Sequence, residues 1–179
     1  DIPLGMIRDR KIKFFTEDYR TRADRETKAL TEFEKKTALI YSYPGMTSEI
    51  IDHYIDAGYK GLVIAGTGLG HVSTELYDSI ERAIEEDIVV LMTVQTLHGF
   101  TGMNVYSTGR ELLEMGIIPG KNMIPETAYV KLGWVLGQAS NRDEVDALLR
   151  QNLAGEYLER EIPVAFNYDM DRLLKQGKL

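Results

Sequence analysis

The sequence predicts a three-layer α/β/α domain: a small parallel sheet of about four strands, preceded by a β-hairpin. Three observations carry this. Residues 38–41, 61–65 and 88–94 are apolar at nearly every position, as strands buried on both faces are. The stretches between them place apolar residues three and four apart, the period of a helix with one buried stripe. Strands that alternate with helices run parallel, because each crossover returns the chain to the same edge of the sheet.

Each element has its own local reason. Residues 4–7 and 11–16 are short apolar or alternating runs around Asp9-Arg10 and read as the hairpin. Residues 17–36 are mostly polar and read as a connector with a helical turn over 25–33; so long a connector is unusual inside a compact domain. Pro44-Gly45 turns the chain after the first parallel strand. Thr47 or Ser48 suits the cap of a helix running to Ala57, with Ile50, Ile51, Tyr54 and Ile55 on one face. Gly58 stands at its C-terminal cap. A second helix is expected from near Ser73, with Leu76, Ile80 and Ile84 at spacing four.

After Gln95 the pattern loosens. Residues 96–105 read as a loop, 107–115 as a short helix stopped by Gly116, and Ile117-Ile118 as a brief fourth strand before Pro119-Gly120. Pro125 fits a first helical turn, and the helix continues to Gln138 with Tyr129, Trp134 and Leu136. Asn141 and Glu144 resemble a capping box. They open a last helix whose expected buried stripe is Val145, Leu148, Leu149 and Leu153. The expected organisation is the end of a preceding domain with a connector (1–36), the α/β domain (37–155), and a tail or partner-docking segment (156–179).

Composition excludes several classes of function. A net charge of −7 is opposite to the basic excess of a general nucleic-acid binder. The absence of cysteine removes disulfides, thiolate zinc sites and cysteine nucleophiles. It fits a reducing compartment or a hot one. No apolar run nears the roughly 18 residues of a membrane span, and no signal peptide opens the sequence. A cytoplasmic protein without membrane contact is the expectation. The sequence opens on Asp1 immediately before a strand pattern, which points to a segment preceding it.

In parallel α/β sheets, ligands sit outside the carboxyl ends of the strands. Three loops qualify here: 42–47, 66–73 and 95–106. Gly66-Thr67-Gly68-Leu69-Gly70 lacks the G-x-G-x-x-G spacing, and the next strand ends in Gln95 with no acidic residue for a ribose. No Lys-Ser/Thr follows, so a P-loop fails as well. What remains is a tight strand-to-helix turn, or a backbone nest or wall for a ligand. His71 then either bonds backbone or moves protons. His53 reads as an exposed helix residue, and His98 lies in the long loop. Three separated histidines without i, i+4 pairing give little support for a metal site, and none is expected. Ser107 or Thr108 reads as a helix cap, and Tyr106 is placed to aim its hydroxyl at a neighbouring site. Lys131 reads as a snorkelling or ion-paired residue before a catalytic amine. Glu81, Glu85, Glu86 and Asp87 form a solvated acidic face, and the methionines fill the core. No nucleophile, base and orienter stand together, so the chain reads as part of a site.

The motifs in their order are specific. They are Tyr43-Pro44-Gly45, residues 58–61, residues 66–71, residues 103–110, residues 116–120, Met123 and residues 126–132. With them, about residues 1–155 resemble the C-terminal domain of asparaginase-type amidohydrolases of the type I/II fold. Within that superfamily the Gly-Thr-Gly-Leu-Gly-His loop and the stretch from Tyr106 to Gly120 are most similar to the D subunits of archaeal glutamyl-tRNA(Gln) amidotransferases.

The resemblance implies a glutaminase that releases ammonia from glutamine, with asparagine as the alternative substrate. A partner protein, the E subunit of the amidotransferase, would use ATP and Mg²⁺ to activate glutamate on tRNA, so tRNA is reached indirectly and this chain binds no cofactor. The family's threonine nucleophile and its Thr, Asp and Lys helpers lie in a larger N-terminal domain whose motifs do not occur here. No catalytic residue is therefore carried over. Family sites form between the protomers of a homodimer, which implies that Gly70, His71 and Tyr106 approach the neighbour's active site and orient the amino-acid end of the substrate. Two other readings stand beside this one: the C-terminal domain of a cytoplasmic L-asparaginase, and a non-enzymatic α/β interaction module that docks a partner.

Overall fold

The computed structural model describes residues 4–15, 17, 21 and 27–158. The hairpin pairs β1 (Gly5–Arg8) with β2 (Lys11–Phe14) in antiparallel register, Arg8 opposite Lys11 and Gly5 opposite Phe14. Asp9 and Arg10 both have positive φ, as a two-residue turn between twisted strands requires. The hairpin belongs to a compact unit separate from the one spanning Leu30–Glu161.

The larger unit is built on four parallel strands in the order β3 (Thr37–Tyr41), β4 (Gly61–Gly66), β5 (Val89–Val94) and β6 (Ile118–Pro119). Register aligns Tyr41 with Ala65, Gly66 with Val94 and Met92 with Pro119. Both central strands, β4 and β5, are buried at every residue. Their side chains alternate between two cores. Leu62, Ile64, Val90 and Met92 pack with α1 (Glu49–Asp56), α2 (Tyr77–Glu85) and α3 (Ser107–Met115). Val63, Val89 and Leu91 face α4 (Pro125–Gln138) and α5 (Arg142–Leu149) on the other side. The expected three-layer architecture and hairpin are both present.

Local differences have physical causes. Residues 27–34 hold no helix; within the larger unit, residues 30–34 lie along α4. There Trp134 Nε1 donates to the Leu30 carbonyl at 3.0 Å, Gln138 Nε2 to Glu32 at 2.8 Å, and the Glu34 amide to Gly133 at 2.8 Å. With the backbone supplied by these partners, no helical turn is needed. Residues 25 and 26 lie outside the described ones. The second helix begins at Tyr77, not near Ser73. Ser73 instead caps a 3-10 turn, Thr74–Leu76, by accepting from the Glu75 amide. Asn141 accepts from the Glu144 amide as a capping box requires, while the Glu144 carboxylate reaches back to the amide of Ser140. Leu153 lies past the end of α5, so it is not part of that helix's stripe.

Lys131 does not snorkel. Its side chain is 5% exposed and its ammonium meets the Glu156 carboxylate at 2.6 Å, so the ion-paired reading holds. Burial lowers the Lys131 pKa, opposed by the bond to Glu156. Burial also works against the Glu156 carboxylate, but Lys131 and nearby backbone amides outweigh it and hold its pKa at about 2. Tyr157 is buried and donates its hydroxyl to the Arg150 carbonyl. Glu156–Tyr157 thus packs onto the α/β unit, and residues 159–179 lie outside the described ones.

Candidate functional site

Parallel register brings the ends of β3, β4 and β5 to one edge, and the three loops that follow them start there. Gln95, the first residue after β5, donates its side-chain amide to the carbonyls of Ser42 and Ala65. It fastens the strand ends together, a structural use of a residue whose role the sequence left open.

The glycine bend closes on itself. Thr67 and His71 form an isolated antiparallel bridge: the Thr67 amide donates to His71 O at 2.8 Å and the His71 amide returns to Thr67 O at 3.0 Å. Gly70 also donates to Thr67 O. Three amides of the bend are therefore spent inside it, which favours the tight turn over a nest of free donors. A Cβ on Gly66 would stand 2.9 Å from the backbone of His71, so the closure itself demands glycine. Gly70 has φ +94°, and a Cβ there would meet Met92 and Met103. Its α-carbon faces the core, and its contribution is to carry the chain past those methionines and deliver His71 to the edge.

His71 and Tyr106, 35 positions apart, come together: their rings meet edge-on with centroids 5.5 Å apart. Tyr106 is 58% exposed. It is also the N-cap residue of α3, without a side-chain cap bond. The expected cap at Ser107 or Thr108 is thus corrected: both lie within the first helical turn. Thr108 is released for another partner, and its Oγ1 stands 3.3 Å from His71 Nδ1. The Thr108 carbonyl in turn accepts from the Tyr77 hydroxyl at 3.0 Å. Burial, then the nearby Glu111 charge, raises the Tyr77 pKa, so its proton is held for that bond. Sequence reasoning missed Thr108 as a site residue because a threonine at a helix start already has a sufficient local explanation. His71 uses its side chain on this hydroxyl and not on backbone.

His53 and His98 are exposed, the former on α1 and the latter in the loop after β5. No cluster of three or more His, Cys, Asp or Glu placed to hold a metal occurs among the described residues. No helix there is long and apolar enough to cross a membrane. A separate apolar groove of about 570 Å³ runs along α4, lined by Val130, Trp134 and Leu153 with the Lys131–Glu156 pair; it shares no residue with the loop cluster.

A parallel sheet covered on both faces, with a self-closed glycine bend presenting a histidine at its carboxyl edge, defines the class: the smaller domain of an asparaginase-type amidohydrolase. Residues 36–149 match the family model described as the glutaminase/asparaginase C-terminal domain, and the chain belongs to that family. Solved structures agree. L-asparaginase from Thermococcus kodakarensis superposes with a TM-score of 0.76 at 25% identity, over 88% of this chain and 48% of that one. L-asparaginase I from Vibrio cholerae gives 0.76 at 28% identity, over 87% and 48%. In sequence, the chain is 51% identical over 157 residues to the D subunit of glutamyl-tRNA(Gln) amidotransferase from Pyrococcus abyssi, covering 87% of this chain and 36% of the relative. It is 52% identical over 142 residues to the protein of that name from Methanobrevibacter smithii, covering 79% and 33%. The chain spans about a third of the length of these relatives.

Proposed function

We propose that this chain is the C-terminal part of the glutaminase component of a tRNA-dependent amidotransferase, releasing ammonia from glutamine for conversion of Glu-tRNA(Gln) to Gln-tRNA(Gln). The observation that carries the reading is identity near 50% to the D subunits of such amidotransferases across most of the chain, against 25% and 28% to the L-asparaginases that share the fold. Amide hydrolysis of this kind is acyl transfer through a covalent intermediate and needs a nucleophile and oxyanion donors. The reading assigns those to polypeptide outside these residues. It gives His71 and Tyr106 the task of orienting the amino-acid end of the substrate in a neighbouring protomer's site, with Gly70 setting the bend that presents them.

In this reading the protein is a homodimer working in the cytoplasm. Its partner, the E subunit of the amidotransferase, activates glutamate on tRNA with ATP and Mg²⁺, and this chain binds neither. The residues alone are inactive. The test is hydrolysis of glutamine and of asparagine by the full-length protein, with and without its tRNA-charging partner. Glutamine turnover stimulated by the charged complex, and a KM for glutamine raised about tenfold by His71→Ala, are expected. Asparagine turnover indifferent to the partner would instead identify a free-standing asparaginase.

A further inference from the structure

We infer that Thr108 is a positioning residue that fixes the ring of His71, donating its hydroxyl proton to Nδ1 so that Nε2–H is the group presented to the carboxylate of an amino-acid substrate. The inference rests on the reading of His71 as a substrate-orienting residue.

Both backbones are held rigidly. His71 is pinned by its two hydrogen bonds to Thr67 and by the close approach of Gly66. Thr108 is pinned because Gly109, the next residue, lies so near the turn before α3 that a Cβ would stand 2.2 Å from the Met103 carbonyl oxygen. The Thr108 carbonyl is held by Tyr77. Between these fixed points the hydroxyl and Nδ1 are 3.3 Å apart.

Nδ1 is the side-chain partner of the Thr108 hydroxyl among the described residues. A hydroxyl can donate or accept; in the inferred arrangement it donates to Nδ1. A ring nitrogen that accepts leaves the proton on the other nitrogen. That other nitrogen, Nε2, is buried and has no partner among the described residues. A buried polar atom without a partner is uncommon and calls for one. The ring lying against His71 is that of Tyr106, which is itself more than half exposed. A ring N–H donor suits a carboxylate; a lone pair in its place would suit the ammonium end.

The experiment compares His71→Ala, Thr108→Val and Thr108→Ser in the full-length protein by glutamine hydrolysis. Expected is a KM raised three- to tenfold by Thr108→Val with kcat within twofold, and recovery in Thr108→Ser, which restores the hydroxyl. If His71→Ala raises KM while Thr108→Val does not, the inference falls and the reading of His71 stands. An unchanged KM in His71→Ala overturns both. Should Thr108→Val fold poorly, ¹⁵N-histidine NMR of the unaltered protein decides, with the His71 resonance identified by its loss in His71→Gln. A proton on Nε2 supports the inference, and a proton on Nδ1 overturns it.

Discussion

Gly137→Ala tests how the extended segment 30–34 is held. A Cβ at position 137 would lie 2.6 Å from the carbonyl carbon and oxygen of Glu32 and from the Phe33 amide nitrogen. These are backbone atoms and cannot rotate aside. Ordinary contact begins at 3.4 Å, so the segment has to retreat by about 0.8 Å (3.4 less 2.6). The bonds from Trp134, Gln138 and Glu34, now 2.8 to 3.0 Å, then stretch past hydrogen-bonding range. Each contributes about 1 kcal/mol net, so about 3 kcal/mol is lost. Replacing glycine by alanine inside a helix returns about 1 kcal/mol. A net destabilisation of about 2 kcal/mol is expected from denaturant unfolding of the full-length protein. Hydrogen exchange at the Glu34 amide, whose acceptor is Gly133 O, should quicken in parallel. A variant about 1 kcal/mol more stable, with Glu34 still protected, would refute the reasoning: helix propensity would then have outweighed the contact.

Three further outcomes are expected. Lys131→Met strands the Glu156 carboxylate in a buried place and should destabilise by about 3 kcal/mol; adding Glu156→Gln, which removes the charge and keeps one oxygen for either the Leu153 or the Ala154 amide, should recover part of that loss in equilibrium unfolding. The Glu156 carboxyl is held at about 2 against its usual 4.5, so on acidification the unfolded chain takes up this proton first. Its contribution, about 3 kcal/mol at neutral pH, is present above pH 4.5 and drains away toward pH 2; the acid limb of the stability profile should be shallower in Glu156→Gln. Gly109→Ala drives a Cβ against the Met103 carbonyl and should lower stability by about 1–3 kcal/mol, with a raised glutamine KM as α3 carries Thr108 away from His71.

Both pKa values of the Lys131–Glu156 pair are lowered, which disfavours the charged form of the lysine and favours that of the carboxylate. The carboxylate's gain is the firmer of the two. It receives backbone amides as well as the ammonium, whereas the ammonium, besides Glu156, has the Gln151 carbonyl at 2.6 Å and the Tyr157 ring. The pair fastens the turn after α5 to α4, which explains a lysine in the interior without any chemical role for it.

Periodicity alone determined the layers. Strands apolar at every position can be satisfied only between two helical faces, and glycines at 58 and 116 mark helix ends because their positive φ is strained for other residues. The Asp9-Arg10 hairpin, the brief strand at Ile118 and Pro125 at the start of α4 were legible for the same local reasons. What the tertiary structure decided are relations between distant residues with adequate local explanations of their own. Thr108 looked like a cap until Tyr106 took the N-cap position of α3 and the Thr108 hydroxyl came to lie beside His71. Glu156 looked like the start of a tail until Lys131 drew it into the interior. Gly70 looked like part of a ligand wall until its α-carbon turned toward Met92 and Met103. Local pattern reports how a segment satisfies itself; which groups from separate segments share a hydrogen bond or a charge is fixed only when the sheet brings their loops to one edge.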